Sequence, residues 1–344
     1  MKRISFLTLF ALAALVLAAC QVQAPVASPT ATAPAQSAAT ATAPTVPSPT
    51  AVSQSIPETP IESVASATVL VEGSPRFLEV SPGAMWVASP GKHALVRIDP
   101  AANQVVAQVP IDKPCAAMAA GFDSIWVQNC GDGTLYRIDA KTNEVIAKIP
   151  VKMAHPDGNI ASGEGGVWIP SSDGVLSRID PASNKVVAEI PIKPLSYATA
   201  AGYGAVWVTN RQDGSVQRID PKTDQVVATI AVGLEPKSLA VGEDGVWVIN
   251  QSAGTVSRID PVTNEVVATI EAGVPGTGSN IAAGEGAVWV SATNILLSVI
   301  DPKTNQVMKR YGPRQGKGDV RARDGSVWVS SSDANKVWRL DSAR

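Results

Sequence analysis

The pattern of apolar residues divides the chain into three parts. An apolar run, interrupted only by Thr8, covers residues 6–19, a stretch without apolar periodicity covers residues 21–60, and short β-branched runs fill the rest. In the last part the runs are separated by Gly, Pro, Asn and Asp, which is the pattern of strands joined by turns. No stretch there keeps a helical period long enough for a helix. The sequence therefore predicts an all-β domain behind two segments of other kinds.

The β-rich part repeats one unit seven times. Successive Trp residues that mark the repeats lie 40, 42, 39, 40, 42 and 39 residues apart. A fixed period near 40 residues is typical of a propeller or a solenoid. In the fifth repeat we predict four strands, A to D, at about residues 238–241, 245–250, 255–259 and 265–271. The marker residues are Trp86, Trp126, Trp168, Trp207, Trp247, Trp289 and Trp328.

The two ends of the β-rich part favour a closed ring over a solenoid. The seventh repeat has text for three strands and none for a fourth. Residues 67–71 match the fourth-strand text of residues 228–232, and each segment leads at the same distance to a Pro eleven residues before a Trp. We therefore expect a seven-bladed β-propeller with four antiparallel strands per blade, in which the amino-terminal strand completes the last blade.

Residues that recur in every repeat are interpreted as structural. Each marker Trp lies within an alternating apolar strand, so its ring is expected to fill the space between blades. The Asp after each third strand is expected to accept hydrogen bonds from the turn that follows it. Glu164, Glu243 and Glu285 lie in A–B turns, opposite the usual propeller pocket, and are expected to be solvated turn residues.

The repeats resemble the YVTN/YncE-like family of seven-bladed propellers. This resemblance covers about residues 64–344 and rests on the Val-Trp-Val, Arg-Ile-Asp-Pro and Thr-Asn-x-Val-Val elements. More loosely, the repeats resemble the streptogramin lyases, which implies a metal-assisted His and carboxylates in the late blades. The last His of this chain is His155, so the lyase residues have no match here. Propellers host many functions, and the repeat text therefore indicates the fold rather than the activity.

The amino terminus indicates export. Lys2 and Arg3 precede the apolar run, which is shorter than the ~20 residues that span a bilayer. The run ends in Leu-Ala-Ala before Cys20, which resembles the bacterial lipoprotein signal; a plain secretory signal is the alternative. We expect removal of residues 1–19 and a lipid on Cys20. The protein would then be anchored to the outer face of the cytoplasmic membrane, or to the outer membrane of a two-membrane cell.

The segment behind Cys20 is predicted to be a tether. Residues 20–62 are rich in Ala, Thr, Pro and Ser and carry almost no charge before residue 58. This composition cannot bury enough apolar surface to fold, so we expect disorder up to a propeller at residues 63–344. The membrane would be contacted through the lipid alone.

Composition excludes several functional classes. The 344 residues are 45% hydrophobic and 17% charged, with 28 Lys and Arg against 30 Asp and Glu. Because nucleic-acid binding requires an excess of basic residues, no nucleic-acid partner is expected. Three Cys and two His, none at metal-ligand spacing, predict no metal site and no cofactor. No Ser/His/Asp set or phosphate-binding loop is present, so no catalytic residue is predicted.

Cys115 and Cys130 are expected to form a disulfide. They lie eleven residues before and four residues after Trp126, at the start of strand A and the end of strand B. These strands are antiparallel neighbours, so both Cys reach the same rim, and an exported protein favours the oxidised pair. Two free thiols are the alternative.

Candidate ligand contacts are the residues that depart from the repeat on the face formed by the D–A and B–C loops. Variable loops on a constant frame are what ligand selection requires. Their cationic excess suits an anionic small molecule, a glycan or a peptide carboxylate, with ordinary solvated loops as the alternative. His93 and His155 permit a metal or an acid–base pair, although two unpaired surface residues are the simpler interpretation. The candidates are Arg76, His93, His155, Asp157, Asn159, Tyr197, Arg211, Lys237, Asn250 and Asn280, with Lys113, Arg314 and Lys317 as further rim residues.

Two charged residues are predicted to meet where the ring closes. The position seven residues before each marker Trp is Ala in five blades but Glu79 in the first and Arg321 in the last. First and last blades become neighbours only in a closed ring, so we expect an ion pair that lines the channel. Two charges that point into channel water without meeting are the alternative.

The sequence as a whole predicts an extracytoplasmic, membrane-anchored module that binds a ligand or a protein. A lyase or hydrolase that uses the D–A and B–C loop face is the alternative, and a scaffold that binds protein only is a third possibility. A monomer is expected.

Overall fold

Seven antiparallel sheets of four strands, one of them extended by a fifth, parallel strand, form a closed ring in the computed structural model, which describes residues 56–273, 280–292, 295–313 and 316–342. The innermost strand of each blade contacts the innermost strands of both neighbours, and the seventh blade contacts the first in the same way. The predicted seven-bladed β-propeller is therefore confirmed.

The strands keep the order A to D from the channel outwards in every blade. The A strands are Leu78–Ser81, Pro114–Gly121, Ala161–Gly163, Ser196–Gly202, Pro236–Gly242, Asn280–Gly284 and Val320–Arg323. The B strands are Ala84–Ser89, Ser124–Asn129, Gly166–Pro170, Ala205–Asn210, Gly245–Asn250, Ala287–Ser291 and Ser326–Ser331. The C strands are Ala94–Asp99, Thr134–Asp139, Val175–Asp180, Ser215–Asp220, Thr255–Ile259, Leu297–Asp301 and Lys336–Asp341. The first six D strands are Gln104–Pro110, Val145–Pro150, Lys185–Pro191, Gln225–Ala231, Val266–Glu271 and Gln306–Gly312, and two 3-10 turns cover Ile61–Ser63 and Pro90–Lys92.

The amino-terminal part of the described chain closes the ring. Strand Ala67–Leu70 pairs antiparallel with Lys336–Asp341 and supplies the D strand of blade seven, as predicted. An additional strand, Glu58–Pro60, pairs parallel with Gln306–Gly312 as a fifth strand of blade six, and Ile61 behind it is fully buried. The last residues of the predicted tether thus pack on the propeller. The rest of the tether, the signal segment and Cys20 lie outside the described residues.

The marker Trp residues form the core between the blades, as predicted. All seven are at most 2% exposed. Six of their indole N–H groups also have a partner among the described contacts: that of Trp86 donates to the Ser81 hydroxyl, and that of Trp247 donates to the carbonyl of Gly242 at the end of strand A, 2.9 Å away. The same bond recurs in blades two, three, four and six. A buried Trp is stable here because both its ring and its donor find partners.

An arginine on strand C connects each of six blades to the next one. The Arg258 guanidinium lies 5.0 Å from the Trp247 ring centroid. It donates to the Pro302 carbonyl at 2.6 Å and to Asn305 Oδ1 at 3.1 Å, both in the C–D turn of blade six. Asn305 has a φ of 57°, a left-handed conformation that Asn tolerates better than most residues. We call these residues the clamp arginines: Arg97, Arg137, Arg178, Arg218, Arg258 and Arg339.

The acidic turn residues hold the turns together. Six of the seven repeated Asp residues cap the turn that follows them, as predicted; Asp139, for example, accepts the N–H groups of Lys141 and Thr142 at 2.9 and 2.8 Å. The exception among the described residues is Asp341, which ends strand C of blade seven. The A–B turn glutamates, expected as solvated turn residues, also connect neighbouring blades. Each accepts the N–H of a glycine in the next blade's A–B turn, at 2.9–3.0 Å. These glutamates are Glu164, Glu243 and Glu285.

The seam between blades seven and one contains a buried charge cluster. Arg321 Nε lies 3.4 Å from Glu79 Oε2, and both side chains are less than a fifth exposed. Asp319, which the sequence analysis did not single out, is fully buried and accepts from Arg321 Nη1 at 2.7 Å. The other oxygen of Asp319 accepts the Leu78 N–H across the seam at 2.9 Å. Two carboxylates therefore share one guanidinium, and burial raises the pKa of Glu79 although Arg321 opposes this.

The seam cluster predicts an order of stabilities. In Arg321→Met both carboxylates lose their cation, so the free energy of unfolding should fall by about 3–5 kcal/mol. In Glu79→Gln the charges of Asp319 and Arg321 still balance each other. The free energy of unfolding should therefore fall several-fold less than in Arg321→Met. Urea denaturation of the two variants measures the difference. Equal losses, or a larger loss in Glu79→Gln, would show that Asp319 does not share the guanidinium.

The clamp predicts the effect of removing one guanidinium. Arg258→Met keeps the aliphatic stem but leaves the turn acceptors of blade six without their charged donor, so we expect a loss of about 1.5–3 kcal/mol. Arg323→Met is the matched control, because the Arg323 side chain is 59% exposed and its ion-pair partner Asp324 is 4.0 Å away. Urea denaturation should separate the two variants. Indistinguishable midpoints would contradict a clamp that carries stability.

Candidate functional site

A central channel runs between the A strands. Its volume is about 420 Å3, and its wall is mostly alanine, with the charged pair Glu79 and Arg321 on one side. Asn159 also lines the channel and donates to the hydroxyl of Ser238 at 3.3 Å. Ser238 follows Lys237 directly in strand A of blade five, so the D–A loop after blade two meets that strand beside one end of the channel.

Tyr197 is the centre of a cluster at this channel mouth. Its side chain is buried, and its ring centroid lies 4.7 Å from that of His155. The guanidinium of Arg211 lies 5.1 Å from the same ring and the ammonium of Lys237 5.7 Å from it. One aromatic ring thus contacts an imidazole and two cations. The channel-mouth cluster consists of Arg76, His155, Asp157, Tyr197, Arg211 and Lys237.

Lys237 is the buried amine of the cluster. The residue is only 8% exposed, and among the described residues no carboxylate lies within ion-pair distance of its ammonium. Burial lowers the pKa of Lys237 to about 8; Asp157 opposes the shift, while Arg211, Lys317 and Arg76 add to it. A buried cation without a counter-charge is unfavourable, which makes this position a candidate for function.

His155 and Asp157 have complementary roles. The Asp157 backbone N–H donates to His155 Nδ1 at 3.1 Å, so a neutral ring carries its proton on Nε2. Burial lowers the pKa of His155, which keeps the ring neutral and makes Nε2 a donor at pH 7. Asp157 is paired with Arg76. Burial alone would raise the pKa of Asp157, but the attraction of Arg76 and the nearby lysines lowers it, so Asp157 is a carboxylate.

The charge of the site is positive. Four cations meet two carboxylates, Asp157 and Glu235, and Glu235 is paired with Arg211 at 3.0 Å. A void of about 20 Å3, roughly the space of one water, lies between Arg76, Asp157, Lys237 and Lys317. Next to it a pocket of about 300 Å3 is lined by His155, Tyr197, Arg211, Glu235 and the exposed Leu195. The cations are Arg76, Arg211, Lys237 and Lys317.

Other rim candidates lie apart from the cluster. His93 is exposed and its Nδ1 contacts the carbonyl of Asp112, so the structure does not bring it to His155. Asn250 is fully buried and donates to Thr255 and Ser257 within its own blade, which removes it from the ligand face. Asn280 lies beside the small void and donates to the carbonyl of Gly318.

The remaining residues of the sequence analysis are Arg314, Lys113 and the two cysteines, and the structure adds Glu235. Arg314 lies outside the described residues, and Lys113 is exposed. Glu235 was not predicted, since its only sequence signal is its place in the same D–A loop as Lys237. The predicted disulfide between Cys115 and Cys130 is confirmed, with the two Cα atoms 5.8 Å apart.

Comparisons with known proteins support the fold. Virginiamycin B lyase from Staphylococcus aureus matches with a TM-score of 0.67 and 16% identity over 80% of this chain and 98% of the lyase chain. A streptogramin B lyase structure matches with a TM-score of 0.66 and 17% identity over 81% and 95% of the two chains. BamB from Moraxella catarrhalis matches with a TM-score of 0.56 and 13% identity over 81% and 83%. At these identities the similarity shows the propeller fold and no activity.

The sequence comparisons are less informative. Residues 239–344 match the model of a domain of unknown function, DUF5074. No curated protein matches the chain by sequence. None of the helical segments within the described residues has the length and apolar content that crossing a bilayer requires.

Proposed function

We propose that this chain is an envelope-anchored propeller that binds an anionic ligand at the channel-mouth cluster. The supporting observation is Lys237, a buried ammonium without a carboxylate partner and surrounded by three further cations. Placing that charge out of water costs free energy, which the attraction of Asp157 opposes without making an ion pair with Lys237. A carboxylate or similar anionic group of a ligand, seated next to Lys237, provides the counter-charge.

The pocket beside the cluster narrows the class of ligand. Its wall combines the apolar Leu195 and Tyr197 with the donors Arg211 and His155. A ligand with one anionic group and a small apolar or sugar-like body fits these contacts, since binding sites are mostly apolar with a few placed polar groups. The loops that carry these residues differ from blade to blade, as a ligand-selecting surface requires.

Anchoring is supported by the sequence alone. A lipid on Cys20 would hold the propeller to the membrane, and the residues between Cys20 and Ile56 form the spacer. Extended in the polyproline conformation, this spacer reaches on the order of 100 Å at ~3.1 Å per residue. The channel mouth would then sample ligands at a distance from the lipid surface.

The lyase alternative has weaker support. It rests on the fold shared with the streptogramin lyases, at 16–17% identity. His155, the only His of the cluster, already accepts a backbone N–H at Nδ1, so its neutral ring donates from Nε2 and does not act there as a base. A reaction at this site would need another base.

The binding proposal predicts a selective loss of affinity. Thermal shift and calorimetry with acetate, succinate, galacturonate and inorganic phosphate should identify at least one anion that stabilises the chain. Lys237→Met and Arg211→Gln should each weaken that anion at least tenfold. Unliganded Lys237→Met should melt no lower than the parent, because the substitution removes an unpaired buried charge. The control is Lys222→Met, an exposed lysine in a C–D turn of the opposite face.

Two results would refute anion binding at the cluster. One is an equal loss of affinity in Lys222→Met, which would mean that only the overall charge matters. The other is the absence of any stabilising anion, with galacturonate and its neutral counterpart galactose giving the same melting temperature.

The pKa of Lys237 predicts how binding depends on pH. An anion favours the charged amine, so affinity should be high below pH 8 and fall as pH rises through the Lys237 pKa of about 8. Binding at pH 8–9 should therefore take up a proton. Burial lowers the pKa of His155 and raises that of Tyr197, so neither titrates in this window. Calorimetry in two buffers of different ionisation enthalpy measures the uptake, and Lys237→Arg, which stays charged, should show none.

A further inference from the structure

The seam between blades six and seven lacks a clamp arginine. At the strand C position where six blades have Arg, blade six has Val299. Blade seven has no C–D turn, because its D strand is the amino-terminal Ala67–Leu70. The Asn that a clamp arginine would reach is therefore missing at this seam, and the missing arginine and the missing turn have one cause.

A cavity lies at the place of the missing arginine. Its volume is about 150 Å3, several times the ~30 Å3 that one water occupies in the liquid. Blade six contributes Trp289, Val299 and Tyr311, and blade seven contributes Leu340, Asp341 and Ser342. We call this cavity the seam slot.

The walls of the seam slot keep two of the groups that hold a guanidinium elsewhere, the Trp ring and the carbonyl after the repeated Asp. Trp289 is equivalent to the rings on which the clamp arginines lie at 4.9–5.6 Å. Ser342 follows the repeated Asp, as does Pro302 in the blade before, whose carbonyl accepts from a guanidinium at 2.6 Å. Asp341 adds a carboxylate. An aromatic face with a carbonyl and a carboxylate at its edge is suited to binding a cation. A guanidinium fits best, because it is planar and its N–H donors can reach both oxygens while it stacks on the aromatic face.

We propose that the seam slot binds an alkylguanidinium group. The other six blades supply that group from their own strand C, and here it comes from a separate source. This site lies at the periphery of another pair of blades and shares no residue with the channel-mouth cluster, so its test is independent of anion binding.

Two groups of this chain compete for the seam slot. Lys309 also lines it and lies opposite Val299 in the strand register, where the clamped blades have Ala, as in Arg258 opposite Ala268. Lys309 is exposed, however, and its ammonium is not stacked on Trp289 among the described contacts. An ammonium also lacks the planar fork. Arg344, two residues after Ser342 in the sequence, carries a guanidinium itself.

The experiment compares two small cations on the full chain. Propylguanidinium and propylammonium are titrated by calorimetry and by the indole N–H resonance of Trp289, assigned with Trp289→Phe. We expect propylguanidinium to bind at least tenfold more tightly than propylammonium and to shift the Trp289 resonance. Val299→Arg places the repeat's own guanidinium in the slot, so it should raise the melting temperature and abolish propylguanidinium binding. Val299→Ala leaves the slot open and is the control that should keep binding.

Further variants distinguish the sources. If the chain's own Arg344 fills the slot, the parent will not bind propylguanidinium and Arg344→Ala will, which supports the proposed chemistry and identifies the occupant. If Lys309→Ala alone creates binding, the slot already holds an ammonium and the proposal is wrong. No binding in the parent, Arg344→Ala and Lys309→Ala overturns it, as does equal affinity for the two cations.

Discussion

Each clamp arginine places its guanidinium between a Trp side chain of its own blade and the C–D turn of the next blade. The closed propeller depends on this contact. It joins the core of one blade to the rim of its neighbour, as Arg218 does between Trp207 and Asn264. In six blades the Arg and the Trp of one repeat and the Asn or Asp in the turn of the next repeat are therefore parts of one contact between successive blades. Since each guanidinium needs both partners at fixed distances, this contact limits how neighbouring blades can be rotated.

The exceptions to the repeat occur where the chain closes the ring. Blade seven takes its D strand from the amino terminus, so it lacks the turn, and blade six lacks the arginine that would bind that turn. At the other seam Arg321 stands where five blades have Ala, and Asp319, which accepts from Arg321, connects blade seven to the backbone of Leu78. A buried charge cluster adds little net stability, but it penalises any register in which its partners are separated. Closure is thus specified by polar contacts on top of the repeated apolar core.

The sequence predicted what the repeat determines and missed what a single position determines. Period, strand order, ring closure and the disulfide all follow from residues that recur or face each other at known spacing. The position of Asp319 is occupied by different residues in the other blades, so an alignment of repeats gives no constant residue from which Asp319 departs. Asn250 was misassigned because its place at a strand end does not reveal on which side of the sheet its amide lies; the structure turns it into the blade. Likewise, loop variation identified Tyr197 and Lys237 separately, but only the fold shows that one ring lies between three side chains.

The repeated contacts between blades also explain how the fold can hold Lys237, a buried cation without an ion-pair partner among the described residues, at the channel mouth. Lys237 begins strand A of blade five, and its backbone carbonyl accepts a bond from the Thr209 hydroxyl of blade four. Because the strand is fixed at this point, the side chain cannot leave its buried position by a local shift of the loop. The clamped ring thus supplies the stability that offsets the desolvation of one ammonium. A fold with a large, repeated set of contacts between blades can carry a few unfavourable groups on its rim, and those groups are where ligand binding is expected.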